Sequence, residues 1–171
     1  MKTAKIILGT GALFCASLMY TTKARGEVTD ADKAFLAHAA QADIDEIKVS
    51  ELAESKATDP RVKAFAHTMV TQHTKLETQM KPFAEAWGLT PPSGPDPEHQ
   101  AELDKLNGLS GAEFDKEYMS AMDKDHHKAL EDFTNEVNST TDAKFKTAVM
   151  HGKSMVAAHT NMADSLQGKV S

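Results

Sequence analysis

Four residues carry the chemistry that this sequence offers. Glu46, His73, His126 and His159 each fall at the middle of the apolar seam of a different predicted helix. A buried imidazole needs partners for its ring nitrogens, and an unpaired buried polar group costs about 1–3 kcal/mol. Any one core histidine is more often a structural residue bonded to a neighbour than a ligand. Four ionisable groups in one layer change that weighing, because groups that resist burial when charged would have to share protons. One glutamate and three histidines are a metal-ligand set, and the expectation is one divalent ion. Zinc, iron(II) or manganese suits this mixed set, and the hard carboxylate argues against a dedicated copper(I) site, with copper a weaker candidate.

The elements that must position these groups are read from spacing. A first helix opens at Thr29-Asp30-Ala31-Asp32, which resembles a capping box, and runs to about Lys56. Its seam is Phe35, Ala39, Ala42, Glu46, Val49 and Ala53, in alternating steps of four and three. Asp59-Pro60 restarts the chain as a second helix toward Trp87, with seam residues Val62, Ala66, Met69, His73, Leu76, Met80, Phe83 and Trp87. So short a connection makes the two helices an antiparallel hairpin. Ser110-Gly111-Ala112-Glu113 reads as a capping box for a third long helix, whose seam is Ala112, Met119, Met122, His126, Ala129 and Phe133. After a break at Asn138-Ser139-Thr140-Thr141, the last helix carries Phe145, Ala148, Gly152, Met155, His159, Met162 and Leu166. Each ionisable group lies about 13 to 17 residues from its helix start, so a rise of about 1.5 Å per residue lets all four share one layer.

Between the hairpins, Leu89 to Leu109 begins with Pro91-Pro92-Ser93-Gly94-Pro95-Asp96-Pro97 and allows a short helix from Glu98 to Leu106. It is long enough to cross the domain from end to end. A weak internal repeat supports the same plan: Met69-Val70-Thr71-Gln72-His73 recurs as Met155-Val156-Ala157-Ala158-His159. With a crossover making the second and third long helices parallel, Met69 and Met122 fall on one side of the histidine layer and Met155 on the other. Three such methionines are then core fillers rather than one copper cluster.

His38, His67, His99, His127 and His151 lie off the seams and are expected at the surface or its margin, and Asp123-Lys124-Asp125 reads as a solvated helix face. The familiar two-metal bundle needs Glu-x-x-His on two helices, and the nearest match is Asp123-x-x-His126. No phosphate loop, dinucleotide fingerprint or haem-attachment motif is present.

Residues 1–26 read as a cleavable signal peptide: Lys2 and Lys5, an apolar run from Ile6 to Tyr20, then Ala24-Arg25-Gly26. Residues 27–171 form one helical domain. Cys15 is the only cysteine and lies inside the signal, so the mature chain has no thiol and relies on packing or a ligand. Loss of Lys2, Lys5, Lys23 and Arg25 takes the net charge from −6 to −10, which disfavours nucleic acid as a partner. The expected location is the periplasm or the exterior, with no stable membrane span after cleavage and room for envelope association.

A stretch covering nearly the whole mature chain is similar to a known family. Phe35, Ala39-Ala40-Gln41, Glu46, Phe65-Ala66-His67-Thr68-Met69-Val70, His73, Leu109-Ser110-Gly111-Ala112-Glu113-Phe114-Asp115-Lys116-Glu117-Tyr118-Met119, His126 and His159 resemble the bacterial domain of unknown function 4142. The resemblance implies a ferritin-like four-helix bundle in exported, envelope-associated proteins, and supplies no activity. Two departures stand out: Gln72 where the family often has Asp, removing a carboxylate beside the histidine, and Met150-His151 in place of Leu-Pro.

The reading is therefore an all-α, ferritin-like four-helix bundle with a long crossover between its second and third long helices, binding one metal through Glu46, His73, His126 and His159 for storage, buffering or stress protection. Its rivals are a mononuclear redox or hydrolytic enzyme and a structural envelope protein whose polar layer fixes helix register.

Overall fold

The computed structural model describes residues 26–170; the signal-peptide assignment lies outside them, apart from Gly26. Five helices and no strand occur among the described residues: α1 (Asp30–Lys56), α2 (Pro60–Trp87), α3 (Pro97–Asn107), α4 (Gly111–Ser139) and α5 (Ala143–Gln167). No helix among them is long and apolar enough to cross a membrane.

The helix starts follow from local chemistry. Thr29 and Asp32 close a reciprocal capping box on α1, Asp59 caps α2 ahead of Pro60, and Asp142 accepts from the amides of Lys144 and Phe145 at α5. At α4 the expected capping box does not form. Ser110 makes no side-chain cap bond, and Gly111 enters the helix at a φ of 60°, a left-handed turn that glycine adopts without strain. The α1–α2 turn is held by a device that no local pattern signals. Asp115, buried on α4, accepts the amides of Thr58 and Asp59 and the Thr58 hydroxyl.

α1 and α2 pack as one antiparallel pair and α4 and α5 as another; α1 also meets α4, and α2 meets α5. Cross-helix contacts fix the directions. Ser50 meets Tyr118 and Phe35 meets Phe133, so α4 runs against α1, as α2 does. α2 and α4 are therefore parallel, and the segment between them is a crossover, as expected. It runs alongside α1: Gln41 Nε2 donates to the Gly94 carbonyl, and Lys56 Nζ reaches the carbonyls of Leu106 and Asn107. Leu106 is the one α3 side chain fully buried in the core.

That core is in two pieces. Val49, Ala53, Phe65, Met69, Phe114, Tyr118 and Met122 belong to one apolar cluster, and Leu36, Leu76, Met80, Phe133, Phe145 and Val149 to the other, with Met155 packed against the second. Met69 and Met122 thus lie apart from Met155. The residues between the clusters along each long helix are polar. On α5 the buried face is Val149, Val156, His159 and Ala163, so Met155 and Met162 sit at its margin rather than on it, and on α4 Ala112 is exposed.

Candidate metal centre

Between the two clusters lie Asp43 and Glu46 from α1, His73 from α2, His126 from α4 and His159 from α5, all buried. The structure brings the three imidazoles together, with ring centroids 5.1 to 5.6 Å apart. One nitrogen of each ring lies within 4.8 Å of the other two. Nitrogens that share one ion stand roughly 3–4 Å apart, for metal–nitrogen bonds of about 2.0–2.1 Å.

Each ring is held from behind by an acceptor. His73 Nδ1 donates to Asp43 Oδ1 at 2.8 Å, His126 Nδ1 to the Met122 carbonyl at 2.8 Å, and His159 Nε2 to Gln72 Oε1 at 2.8 Å. A carbonyl only accepts, so the proton of His126 is on Nδ1, and the carboxylate and the amide oxygen impose the same choice on the other two rings. The opposite nitrogens, His73 Nε2, His126 Nε2 and His159 Nδ1, are buried and have no hydrogen-bond partner among the described residues. With the rings neutral, three lone pairs are left in the interior with no donor to meet them. An imidazole whose outer N–H is anchored in this way is the usual form of a metal-bound histidine.

Electrostatics separates the rings. Burial, then the neighbouring His73, lowers His126 to about 4, and burial with the charges of His73 and His126 lowers His159 to about 2. Both are neutral near pH 7, as a ligand must be. Burial also opposes a charge on His73, but the hydrogen bond and charge of Asp43, with the charge of Glu46, outweigh it and raise that ring.

Glu46 reaches the layer without joining the nitrogen cluster. Its Oε1 is 3.7 Å from His126 Nδ1, the anchored nitrogen, and its Oε2 is buried without a partner. Burial, more than any charge, pushes its carboxyl up to about 7. A cavity of about 70 Å³ lies beside it, lined by Glu46, His73, His126, His99 and Asp125 among others. That is room for a few water molecules.

Sequence reasoning missed the anchors. Asp43 is one step off the predicted α1 seam, yet it is buried because α1 is covered by both α2 and α4. Gln72, noted as a lost carboxylate, is the residue that anchors His159, as an amide. His38, His67, His127 and His151 are exposed, but His99 is half-buried among acids, and Asp125 turns toward it rather than into solvent.

The fold and this layer define an all-helical protein with a buried cluster of three anchored imidazoles. The chain belongs to the family described as Domain of unknown function (DUF4142), whose family model matches residues 18–166. No curated protein matches its sequence. Among solved structures it is similar in fold to a DUF305 fragment from Deinococcus radiodurans, at 15% identity and a TM-score of 0.72, covering 82% of this chain and 97% of that one. It is likewise similar to DUF305, a candidate secreted protein from Streptomyces coelicolor, at 17% identity and a TM-score of 0.69, covering 81% and 91%. A third is CopM in its Cu(II)-bound form, at 21% identity and a TM-score of 0.68, covering 81% and 96%.

Proposed function

We propose that this protein is an exported, ferritin-like four-helix bundle that holds a single transition-metal ion in its core through His73, His126 and His159, as a store, buffer or scavenger. Residues 1–26 are its signal peptide and the periplasm or the exterior its location. One observation carries the reading: three buried ring nitrogens face one another unpartnered, while the opposite nitrogen of every ring is anchored.

Glu46 is the fourth candidate ligand. Its unpartnered Oε2 gives it a free donor atom, and its place beside His126 lets it balance the charge of a divalent ion. Three imidazoles suit zinc and copper(II), and a carboxylate adds iron(II) and manganese. CopM has been solved with copper and with silver, so copper belongs in the test on equal terms. The water-sized cavity favours an ion over an organic substrate.

Elemental analysis after reconstitution with zinc, iron, manganese or copper tests the proposal. One equivalent of one metal in the wild type, lost in His73→Ala and His159→Ala, is expected. No stoichiometric metal under any of the four conditions overturns it and leaves a polar layer that shares a proton on His73. Consumption of peroxide or oxygen by the loaded protein would turn the store into an enzyme.

A further inference from the structure

A fourth histidine is held as the three core histidines are. His99, on the crossover helix α3, faces two carboxylates with its Nδ1: Asp96 Oδ1 at 2.9 Å and Asp45 Oδ2 at 3.3 Å. Asp45 is 1% exposed and is itself fixed by the Gln41 side chain and the Asp96 amide. Asp96 and Asp45 thus hold a proton on Nδ1; burial opposes a charge on the ring, but Asp96, Asp45 and Asp125 outweigh it and raise His99, so a cation that takes Nε2 displaces a proton from it.

That nitrogen points to an acidic pair. It lies 3.9 Å from Asp125 Oδ2, too far for a hydrogen bond. With Glu102 the three side chains bring one nitrogen and two carboxylate oxygens within 4.8 Å of one another. The nearby cation is Lys124, whose ammonium stands 3.8 Å from the other Asp125 oxygen on a largely exposed side chain. One mobile ammonium does not balance two converging carboxylates and the two behind them.

An independent feature points the same way. Glu46 is only 7% exposed and its Oε2 has no partner, yet it lines the same cavity as His99 and Asp125 and is close enough for its charge to act on Glu102. Glu102 Oε1 is also buried without a partner. Two buried carboxylate oxygens without a partner thus lie beside the His99–Asp125 pair.

We propose that His99, Glu102 and Asp125, with Glu46 beside them, form a second divalent-cation site. Its donors are mostly carboxylate oxygens, so it takes a harder ion than the imidazole layer does, of the Mn²⁺ class. The cavity lined by Glu46, His99 and Asp125 is lined also by His73 and His126, so the outer site adjoins the inner one. The outer site does not depend on metal at the inner one.

Manganese EPR tests this, because the signal of free aqueous Mn²⁺ falls as the ion binds. The purified protein is titrated with Mn²⁺ alone, alongside Asp125→Asn, Glu102→Gln and, as the inner-layer control, His159→Gln; far-UV circular dichroism verifies the helical content of each. His159→Gln should bind one equivalent at the outer site and the wild type at least one, with affinity there reduced about tenfold or more in the other two. The proposal is overturned if the wild type binds no Mn²⁺ below millimolar concentration, if Asp125→Asn and Glu102→Gln keep wild-type affinity, or if His159→Gln alone loses the ion. Zinc and copper titrations of the same proteins separate the two sites: failure of both metals to bind, with Mn²⁺ retained, removes the inner site and leaves the outer one standing.

Discussion

Asp43 Oδ1 accepts the Nδ1 proton of His73 at 2.8 Å, joining the two helices of the first hairpin at the depth of the imidazole layer. Both side chains are almost wholly buried, so no water competes for the bond. It fixes the ring's tautomer and turn and makes the opposite nitrogen a stronger donor to metal. Asp43→Asn keeps the shape and removes the charge. Metal affinity should fall roughly 10–100-fold with the fold intact, as measured by chelator competition and circular dichroism. Unchanged affinity would show that His73 is not a ligand.

The Gln72–His159 bond gives the opposite experiment. An amide oxygen anchors His159 Nε2 where a carboxylate would do so more strongly. Gln72→Asp shortens the side chain by one carbon, and α2 and α5 are in contact at this level. The carboxylate should raise the basicity of the ring and tighten metal binding by up to about tenfold. Weaker binding in the variant would mean that reach matters more here than charge.

How much of this was legible in the sequence depends on which neighbours decide each residue. The seam of α2 was legible from Val62 to Met80, because Val62, Ala66, Met69, His73, Leu76 and Met80 are all buried at the predicted steps and Asp59-Pro60 marks the start without help from the rest of the chain; beyond Pro82 the seam residues Phe83 and Trp87 are only half-buried. The three histidines were legible for the same reason. α1 was harder. It buries Asp32, Asp43, Asp45, Glu46 and Ser50 as well as its apolar residues, since it is enclosed by α2, α3 and α4, and a helix covered on several sides has no single seam. The His99 cluster was not legible, because its members come from α1, α3 and α4 and meet only through the register of the crossover. Nothing local to Asp125 distinguishes it from a solvated acid.

Asp115 holds the start of α2 from across the core. It accepts the Thr58 amide at 3.0 Å, the Thr58 hydroxyl at 2.6 Å and the Asp59 amide at 2.8 Å. Asp115→Ala removes all three acceptors at once and should lower the unfolding free energy by about 2–3 kcal/mol. Urea denaturation measures it. A loss below about 0.5 kcal/mol, the level of an ordinary surface change, would show that water replaces the carboxylate freely.

Gly152 lets α5 approach α4. A Cβ there would stand 2.4 Å from Phe133 Cε1 and 3.3 Å from Leu76 Cδ1. Phe133 is buried and packed edge-on against Phe35 at 5.0 Å between centroids, so its ring has little room to yield. In a helix, alanine is favoured over glycine by about 1 kcal/mol, whereas forcing an extra carbon into a packed core costs about 1–3 kcal/mol. The steric term should win, and Gly152→Ala should lower the thermal midpoint. A raised midpoint would mean that Phe133 moves aside at little cost.

Glu136 and Asp32 form a carboxyl pair linking the last turns of α4 to the first turn of α1. Burial acts to raise Asp32, but hydrogen bonds from Thr29, with the nearby Thr140 and Glu136 side chains, outweigh it and hold that carboxyl low. Burial and then Asp32 push Glu136 up to about 7 from its ordinary 4.5. The folded protein therefore holds the Glu136 proton more tightly than the unfolded chain does. The stability this supplies is complete below about pH 4.5 and is lost as the pH rises through about 7. Glu136→Gln keeps a donor toward Asp32 at every pH. Its thermal midpoint should exceed that of the wild type at pH 8, and the advantage should shrink as the pH falls toward 4.5. An offset that stays constant over this range would place the effect in packing rather than in the proton, because only a group that titrates between those limits can make the difference depend on pH.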